Sequence, residues 1–415
     1  MKTEIAKKIT DTHQSQKLND WRIDEIKNFS IQIVDGDRGT NYPKNHELNP
    51  TGFCVFLNNK NIKNDKFDFS ESDFITEEKD KVLRKGKLLP NDIILTTRGS
   101  VGNVAFYSGK PYQNVRINSG MVIIRNYQDD FEPAFLYGLL KSLFLKNQYR
   151  EYSTGSAQPQ LPIRDLQRIK LIKPPLDEQK VIGEIISSID EKIDLNNEII
   201  KNLSSLGHTL LREWFIEKNN PVISHEQEWI TVKLGDLITR NNKKIKNKID
   251  WDNKQVIDLS VMPNFSLVLD KYSPGKNFTT NIFELNEYDI VFGSIRPYFG
   301  KAGFSPINGV ITGTVFSFLP KDKNFYSLIL FLITSRVFID FTVQHSRGTK
   351  MPIIGWDDFC DFELEIPNGS DTVKKFNDLM FPVIESINQK IKEIIQLQSA
   401  LDSLLPRLTS RHLKN

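Results

Sequence analysis

Cysteine is nearly absent: Cys54 and Cys360 are the only two in 415 residues and no CxxC pair occurs, whereas a structural zinc site needs about four closely organised N or S ligands. Disulfide scaffolds and cysteine-rich zinc modules are thereby excluded. The six histidines (His13, His46, His208, His225, His345 and His412) are scattered, with no His-Glu-x-x-His, so each reads as a surface or packing residue and no metal site is expected. Long apolar runs are missing too. The longest, residues 328–333, falls far short of the roughly 18 residues that span a bilayer, and the Met-Lys-Thr-Glu start lacks an apolar signal core. A soluble, cytoplasmic protein with no membrane association is expected. With 55 Lys and Arg against 52 Asp and Glu, the net charge is only +3, so any charge that binds nucleic acid must be local. A disordered polycation is excluded.

Catalytic motifs are absent as well. No Gly-x4-Gly-Lys-Ser/Thr loop occurs, since Ser108-Gly109-Lys110-Pro111 lacks the spaced glycine and the magnesium-holding hydroxyl; ATP hydrolysis is not expected. No Gly-x-Gly-x-x-Gly marks a dinucleotide or S-adenosylmethionine pocket. Lys173-Pro174-Pro175-Leu176 superficially resembles the Asn/Asp-Pro-Pro-Tyr/Phe motif of amino-methyltransferases, but Lys and Leu can neither accept from a target amine nor stack on a flipped base. The two prolines more simply end a strand and open a helix, with Asp177 and Glu178 at its positive dipole end. No catalytic residue is assigned.

What is present is a duplication. The length, at roughly 150 residues per domain, already suggests two units, and short signatures recur in the same order in both halves. Trp21-Arg-Ile-Asp-Glu-Ile matches Trp229-Ile-Thr-Val-Lys-Leu. Asp92-Ile-Ile-Leu, then Arg98 and Gly102-Asn-Val-Ala-Phe, matches Asp289-Ile-Val-Phe, then Arg296 and Gly300-Lys-Ala-Gly-Phe. Residues 155–174 align without gaps on 348–367, and Ile189-Asp-Glu-Lys-Ile matches Ile387-Asn-Gln-Lys-Ile. Insertions between these blocks belong in loops.

Each half divides into a strand-rich body and a helical tail. Residues 92–97, 121–125, 289–292 and 314–319 are short, β-branched or apolar, and bounded by Gly, Pro and Asn, as strands are; 135–149 and 325–341 read as helices packed on them. The predicted bounds are 1–175 and 218–368 for the bodies, and 176–217 and 369–415 for the helices. Ile182, Ile186, Ile189, Ile193, Asn196, Ile200, Leu203, Gly207, Leu210 and Trp214 step by four and three residues, a heptad seam. Met380, Val383, Ile387, Ile391, Ile394, Gln398, Leu401, Leu405 and Leu408 form a second seam with one irregular step. Pro382 is expected to break or kink its first turns, so that the continuous helix starts near Val383. An exposed apolar seam has to be buried, and the other tail is the nearest partner, within one chain or between two. The fold class is α+β: two repeated strand-rich domains separated by two long helices that form an antiparallel coiled-coil pair.

Basic and amide-bearing residues gather in Gly-punctuated loops. Residues 98–172 hold ten Lys or Arg against five Asp or Glu, and Asp35-Gly-Asp-Arg-Gly-Thr-Asn-Tyr-Pro presents Arg38, Thr40, Asn41 and Tyr42 on a tight loop. Arg98, Asn103 and Gln158 lie in the repeated loops of the first half, and Arg296, Lys301, Thr349 and Lys350 in those of the second. Arg240, Lys243, Lys244, Lys246 and Lys248 form a basic run without an acid, which suits a phosphate-facing arm. Arg can read guanine bidentately and Asn or Gln adenine, while Lys positions phosphates. Double-stranded DNA is the expected partner, with Lys243 and Lys244 counted among its contacts.

The order of body, Pro-Pro-Leu-Asp-Glu-Gln helix, body and second helix, with Gly-Asp-Arg-Gly-x-Asn-Tyr-Pro early in a module and Asp-Ile-Ile-Leu-x-x-Arg-Gly in its middle, resembles the specificity subunit of type I restriction-modification systems, over essentially the whole chain. The resemblance implies that each body is a target recognition domain reading one half of a split site, and that the helices space the bodies and dock two methyltransferase subunits. It further implies that S-adenosylmethionine, ATP and Mg belong to partner subunits and none to this chain, that ATP-dependent restriction subunits join through the complex, and that the whole serves phage defence. Two other readings of the residues stand beside it: a coiled-coil scaffold for proteins, and a free-standing DNA methyltransferase whose motifs have diverged.

Overall fold

The computed structural model describes residues 21–410 apart from 129, 156–157, 220–227, 280 and 370, and of 405–410 the backbone alone. These residues form two compact units, one within Met1–Asp190 and Ser399–Asn415, the other within Glu191–Gln398. No single helix among the described residues is long and apolar enough to cross a membrane.

In unit one, Ile31–Asp35, Met121–Asn126, Ile93–Thr96 and Val104–Phe106 make an antiparallel four-stranded sheet in that order. A second sheet joins Phe74–Ile75, Cys54–Leu57 and Val115–Ile117, the last two parallel. The apolar run Ile-Ile-Leu at 93–95 has no polar position because both of its faces are covered, the pattern of a central strand. Strand geometry sends alternate side chains to opposite faces. Ile93 and Leu95 accordingly pack with Leu136, Leu139 and Ile186 of the helices, while Ile94 packs with Val55 and Ile117 of the second sheet.

Unit two repeats the plan. Ile238–Arg240, Val315–Pro320, Ile290–Gly293 and Ala302–Phe304 form the equivalent antiparallel sheet, and Gln255–Ile257 lies parallel to Gly309–Thr312 in the second. Ile290 and Phe292 face the helical layer, Val291 the other sheet. The longest apolar run lies in the helix Tyr326–Ile333, every residue of which is buried. In each unit a separate strand pair closes the body. Arg22 stands opposite Lys173 and Ile230 opposite Ile366, which sets Trp21 and Trp229 at the same step of the register.

A buried carboxylate also recurs, with different partners. Asp92 accepts from the Leu89 amide at 2.7 Å and from Arg125 at 2.6 Å. Asp289 accepts from the Asn286 amide at 3.0 Å, but its remaining donors are neutral: Asn241 at 2.9 Å and Ser317 at 3.0 Å.

The first long helix, Leu176–Leu211, is tied to body one by its opening residues. Trp21 donates to Glu178 at 3.0 Å, and the fully buried Gln179 accepts from the Glu132 amide at 2.9 Å while donating to the Pro174 carbonyl at 2.8 Å. The Pro-Pro-Leu-Asp-Glu-Gln segment is therefore a clamp between helix and body. Where the second junction lacks Glu-Gln, Asn377 does the corresponding work, accepting from Ser327 at the start of a body helix.

The second long helix runs unbroken from Asp371 to Ser410, which corrects the expectation of a start near Val383. Pro382 removes one backbone hydrogen bond, a loss of about 3 kcal/mol in an isolated helix. Val373, Phe376, Met380, Ile384 and Ile387, on both sides of it, are all wholly buried in unit two's core, and at about 1.5–3 kcal/mol each their burial outweighs that loss. The proline itself sits on the exposed face.

Within unit two the long helices pair antiparallel: Asn196 meets Glu393, and Phe215, in the π-helical turn Arg212–Ile216 that continues the first helix, meets Phe376, one number rising as the other falls. The pairing is within one chain. Ile200, Ile387, Ile391 and Ile394 are buried along it, and Ile193 and Leu203 pack at its margin. Gly207 permits a close approach, since a Cβ there would stand 2.2 Å from the Phe331 ring. In unit one, Ile186 is buried and Leu401 packs against the same cluster, whereas Ile189 is only half-buried.

Candidate nucleic-acid interface

Strand register collects the loops of body one at one sheet edge. Asp35 lies opposite Val122 and Met121 opposite Thr96, so the loop after 35, the turn before 121 and the turn after 96 leave the sheet side by side. The loop 154–160 is stitched to them. Gly99 N–H donates to the Pro159 carbonyl at 3.0 Å, Leu161 N–H to the Thr97 carbonyl at 2.8 Å, and Arg98 bridges Gln160.

Body two has the same stitching. Arg296 N–H donates to Pro352 at 2.7 Å, Ile354 N–H to Ser294 at 3.0 Å, and Ile295 bridges Ile353. A hydroxyl brace recurs as well, Thr97 donating to the Gly120 carbonyl at 3.1 Å and Ser294 to Thr314 at 2.9 Å. These bonds revise one pairing read from the sequence: the backbone counterpart of Arg98 is Ile295, and Arg296 occupies the place of Gly99. Both Gly99 (φ 69) and Arg296 (φ 50) are left-handed. Glycine adopts that conformation freely, whereas arginine does so at a penalty of about 1–2 kcal/mol.

The candidate contacts differ in how free they are. Arg98, Arg296 and Lys350 have no side-chain ion pair or hydrogen bond among the described residues; Arg296 and Lys350 are exposed and Arg98 half-buried. Gln158 and Thr349 are exposed in the stitched loops, and Asn103 is half-buried beside the turn. Arg38 pairs with Asp35 at 3.0 Å. Its loop is held by Asp37, whose carboxylate takes the amides of Arg38, Arg84 and Lys85; burial opposes ionisation, but these donors hold Asp37 below the usual carboxylate range. Thr40 and Asn41 are exposed on that loop, while the Tyr42 ring packs on Phe56 at 5.6 Å as part of the body's interior.

In the basic run, Lys243 pairs with Glu284 at 2.6 Å and Lys244 donates to Asn281 at 3.1 Å. Arg240 is turned inward between Phe316 and Trp356, 4.9 Å from each ring, where burial lowers its pKa, so it does not extend the phosphate-facing arm. Lys301 likewise spends its ammonium on the Leu259 carbonyl, and burial lowers its pKa.

Sequence reasoning missed Asn59, whose amide donates to the Arg98 carbonyl and whose Oδ1 is buried without a partner. Nothing in the run Asn58-Asn59-Lys60-Asn61 distinguishes it from turn residues. It also missed Tyr298, an aromatic between Pro297 and Gly300 in a turn, a place where an exposed ring is a readable signal. Among the described residues no cluster of His, Cys, Asp and Glu is arranged to hold a metal ion.

Residues 19–205 and 226–397 each match the type I restriction modification DNA specificity domain, one match per body together with its helix. The chain belongs to that family. It is a DNA-recognition subunit of the type I restriction-modification class rather than an enzyme in its own right. Similar proteins include the MjaIX specificity subunit of Methanocaldococcus jannaschii, 22% identical over 355 residues, covering 78% of this chain and 77% of that one. The HindI specificity subunit of Haemophilus influenzae is 25% identical over 209 residues, 48% of this chain and 42% of its own. The fold is shared with the type I S subunit from M. genitalium, with a TM-score of 0.56 at 14% identity over 95% of this chain and 98% of the other. The duplicated bodies and long helices described above are thus the specificity-subunit architecture.

Proposed function

We propose that this specificity subunit reads a bipartite DNA site, one half-site per body, and docks two methyltransferase subunits that carry out the chemistry. The observation that supports it is the recurrence, at the same sheet edge of both bodies, of one stitched constellation of turn and loop carrying an unpaired guanidinium, Arg98 in one and Arg296 in the other. Arg98, Arg296, Gln158 and Thr349 are assigned to base edges, and Lys243, Lys244 and Lys350, with the Arg38 loop, to phosphates and groove walls. In this reading the bodies are 1–175 and 218–368, and the helices 176–217 and 369–415 are the spacing and docking elements. S-adenosylmethionine, ATP and Mg act on the partner subunits, ATP-dependent restriction subunits join through the complex, and the assembly works in the cytoplasm.

Mapping methylated bases in cells that carry this chain with its modification subunits tests the reading. Two short specified sequences separated by unspecified bases are expected, and Arg98→Ala is expected to change only one of them. A single continuous recognition sequence would overturn it.

A further inference from the structure

The two bodies differ at the tip of one turn. Body two carries Arg296-Pro-Tyr-Phe-Gly300 between its strands Ile290–Gly293 and Ala302–Phe304, where body one has Gly99-Ser-Val-Gly. Tyr298 and Phe299 therefore fill the place that body one gives to the single Val101. Large aromatic side chains are normally drawn inward, and a buried tyrosine hydroxyl normally finds a partner. Tyr298 is 44% exposed, and its hydroxyl is unbonded among the described residues.

The ring is held on a stiff mount. Pro297–Phe299 form a 3-10 turn, the Tyr298 and Phe299 rings lie 4.6 Å apart, and Phe265 N–H donates to the Gly300 carbonyl at 3.1 Å. Gly300 is left-handed with the Phe265 ring against it, so close that a Cβ would stand 2.5 Å away. Arg296 and Phe265 both keep left-handed backbone without being glycine, a conformation that persists only where the surroundings enforce it, and such positions gather at functional sites. Two cations lie on the segments that carry and brace this turn. Arg296 precedes Tyr298 by two residues and Lys350 lies in the stitched loop, both exposed and without a counter-ion among the described residues.

A rigid, exposed aromatic beside free cations fits a polyanion that also offers flat apolar faces, and duplex DNA at a base-pair step offers both. We propose that Tyr298 is a wedge: its ring enters the half-site read by body two and stacks on a base there, beside the base edge that Arg296 contacts, while Lys350 holds a phosphate. Body one, with Val101 at that place, leaves its half-site stacked. The specificity subunit thus deforms one half-site and not the other, a refinement that rests on the assignment of one half-site to each body.

The test uses the full chain assembled with its modification subunits on a duplex bearing the methylation-mapped site. 2-Aminopurine is placed in turn at positions across both half-sites. A rise in fluorescence at one step of a single half-site is expected, lost in Tyr298→Ala and kept in Tyr298→Phe. Any signal from bases extruded for methylation is expected in both half-sites and independent of Tyr298. Loss of one stacking contact predicts binding weakened by about 5- to 150-fold in Tyr298→Ala. Tyr298→Ala with unchanged affinity and unchanged fluorescence overturns the wedge while leaving bipartite reading intact. Weakened assembly with the modification subunits at unchanged DNA affinity also overturns it, and marks the tip as a protein contact. Absence of sequence-specific binding by the wild-type complex instead overturns the reading on which the wedge rests.

Discussion

Asn196, wholly buried in the seam of the first long helix, donates its amide to the Glu393 carboxylate of the second at 3.0 Å, and its own Oδ1 has no partner among the described residues. A polar residue at a core position of a helix pair sacrifices stability but allows only registers in which its partner is opposite. Asn196→Leu is therefore expected to leave stability unchanged or raise it by about 1–4 kcal/mol. Asn196→Asp, which sets a buried carboxylate beside the partly exposed Glu393 carboxylate, is expected to lower it by about 3–5 kcal/mol. Urea unfolding of the three proteins decides; equal stability of all three would remove Asn196 from the seam.

The same seam makes a contrast of positions. Ile391 is wholly buried, whereas Leu195 on the other helix is 49% exposed. Ile391→Asp is expected to abolish folding or solubility and Leu195→Asp to shift stability by less than about 0.5 kcal/mol. Circular dichroism melting compares them directly.

Arg296 separates stability from recognition. Arg296→Gly relieves a left-handed backbone and is expected to stabilise the chain by about 1 kcal/mol while relaxing one half-site by about 1–3 kcal/mol. Arg98→Ala is expected to relax the other half-site without a gain in stability, because the Arg98 backbone is not left-handed. Thermal melting and methylation-site mapping together read both effects, and a variant that relaxed both half-sites would contradict the division.

In body one the buried Asp80 carboxylate meets Arg116 at 2.5 Å and Lys87 at 2.6 Å. Burial alone would raise its pKa, but these cations hold it below the ordinary value of 3.8. A group whose folded pKa is depressed contributes stability that is present above the unfolded value and is lost as pH falls through the folded one. Arg116→Met is expected to destabilise the chain by about 3–5 kcal/mol at pH 7, with the deficit narrowing as pH drops below 3.8. A deficit that does not change with pH would show that packing, not charge, dominates.

Burial pushes the Cys54 thiol up to about 12 and the Cys360 thiol to about 11. The thiolate is the reactive form, so neither is expected to react with a disulfide reagent at pH 8 on the timescale in which the denatured chain titrates two thiols. Fast labelling of the native chain would contradict this.

The β-strands at 93–96 and 290–293 were legible as short apolar runs bounded by Gly, Pro and Asn, the helices by the three-and-four period of their seams, and the duplication by the recurrence of both in one order. Pro382 misled because its local penalty is visible in sequence, while the burial of Phe376 and Met380 that overrides it is tertiary. The Arg296 register was hidden for a similar reason. Matching arginine to arginine is the natural alignment, but backbone handedness sets the equivalence and pairs Arg296 with Gly99. Arg240 and Lys301 look like free cations in a list of residues, and only the surrounding rings and carbonyls reveal that they are engaged.

Asp92 and Asp289 separate what a buried carboxylate needs from what it tolerates. One copy of the body has a guanidinium on its inner carboxylate, the other an amide and a hydroxyl, yet both carboxylates cap a backbone N–H three residues earlier. The turn into the central strand is thus built the same way twice with two different charge balances, so the cap belongs to the backbone plan and the counter-ion to the individual body.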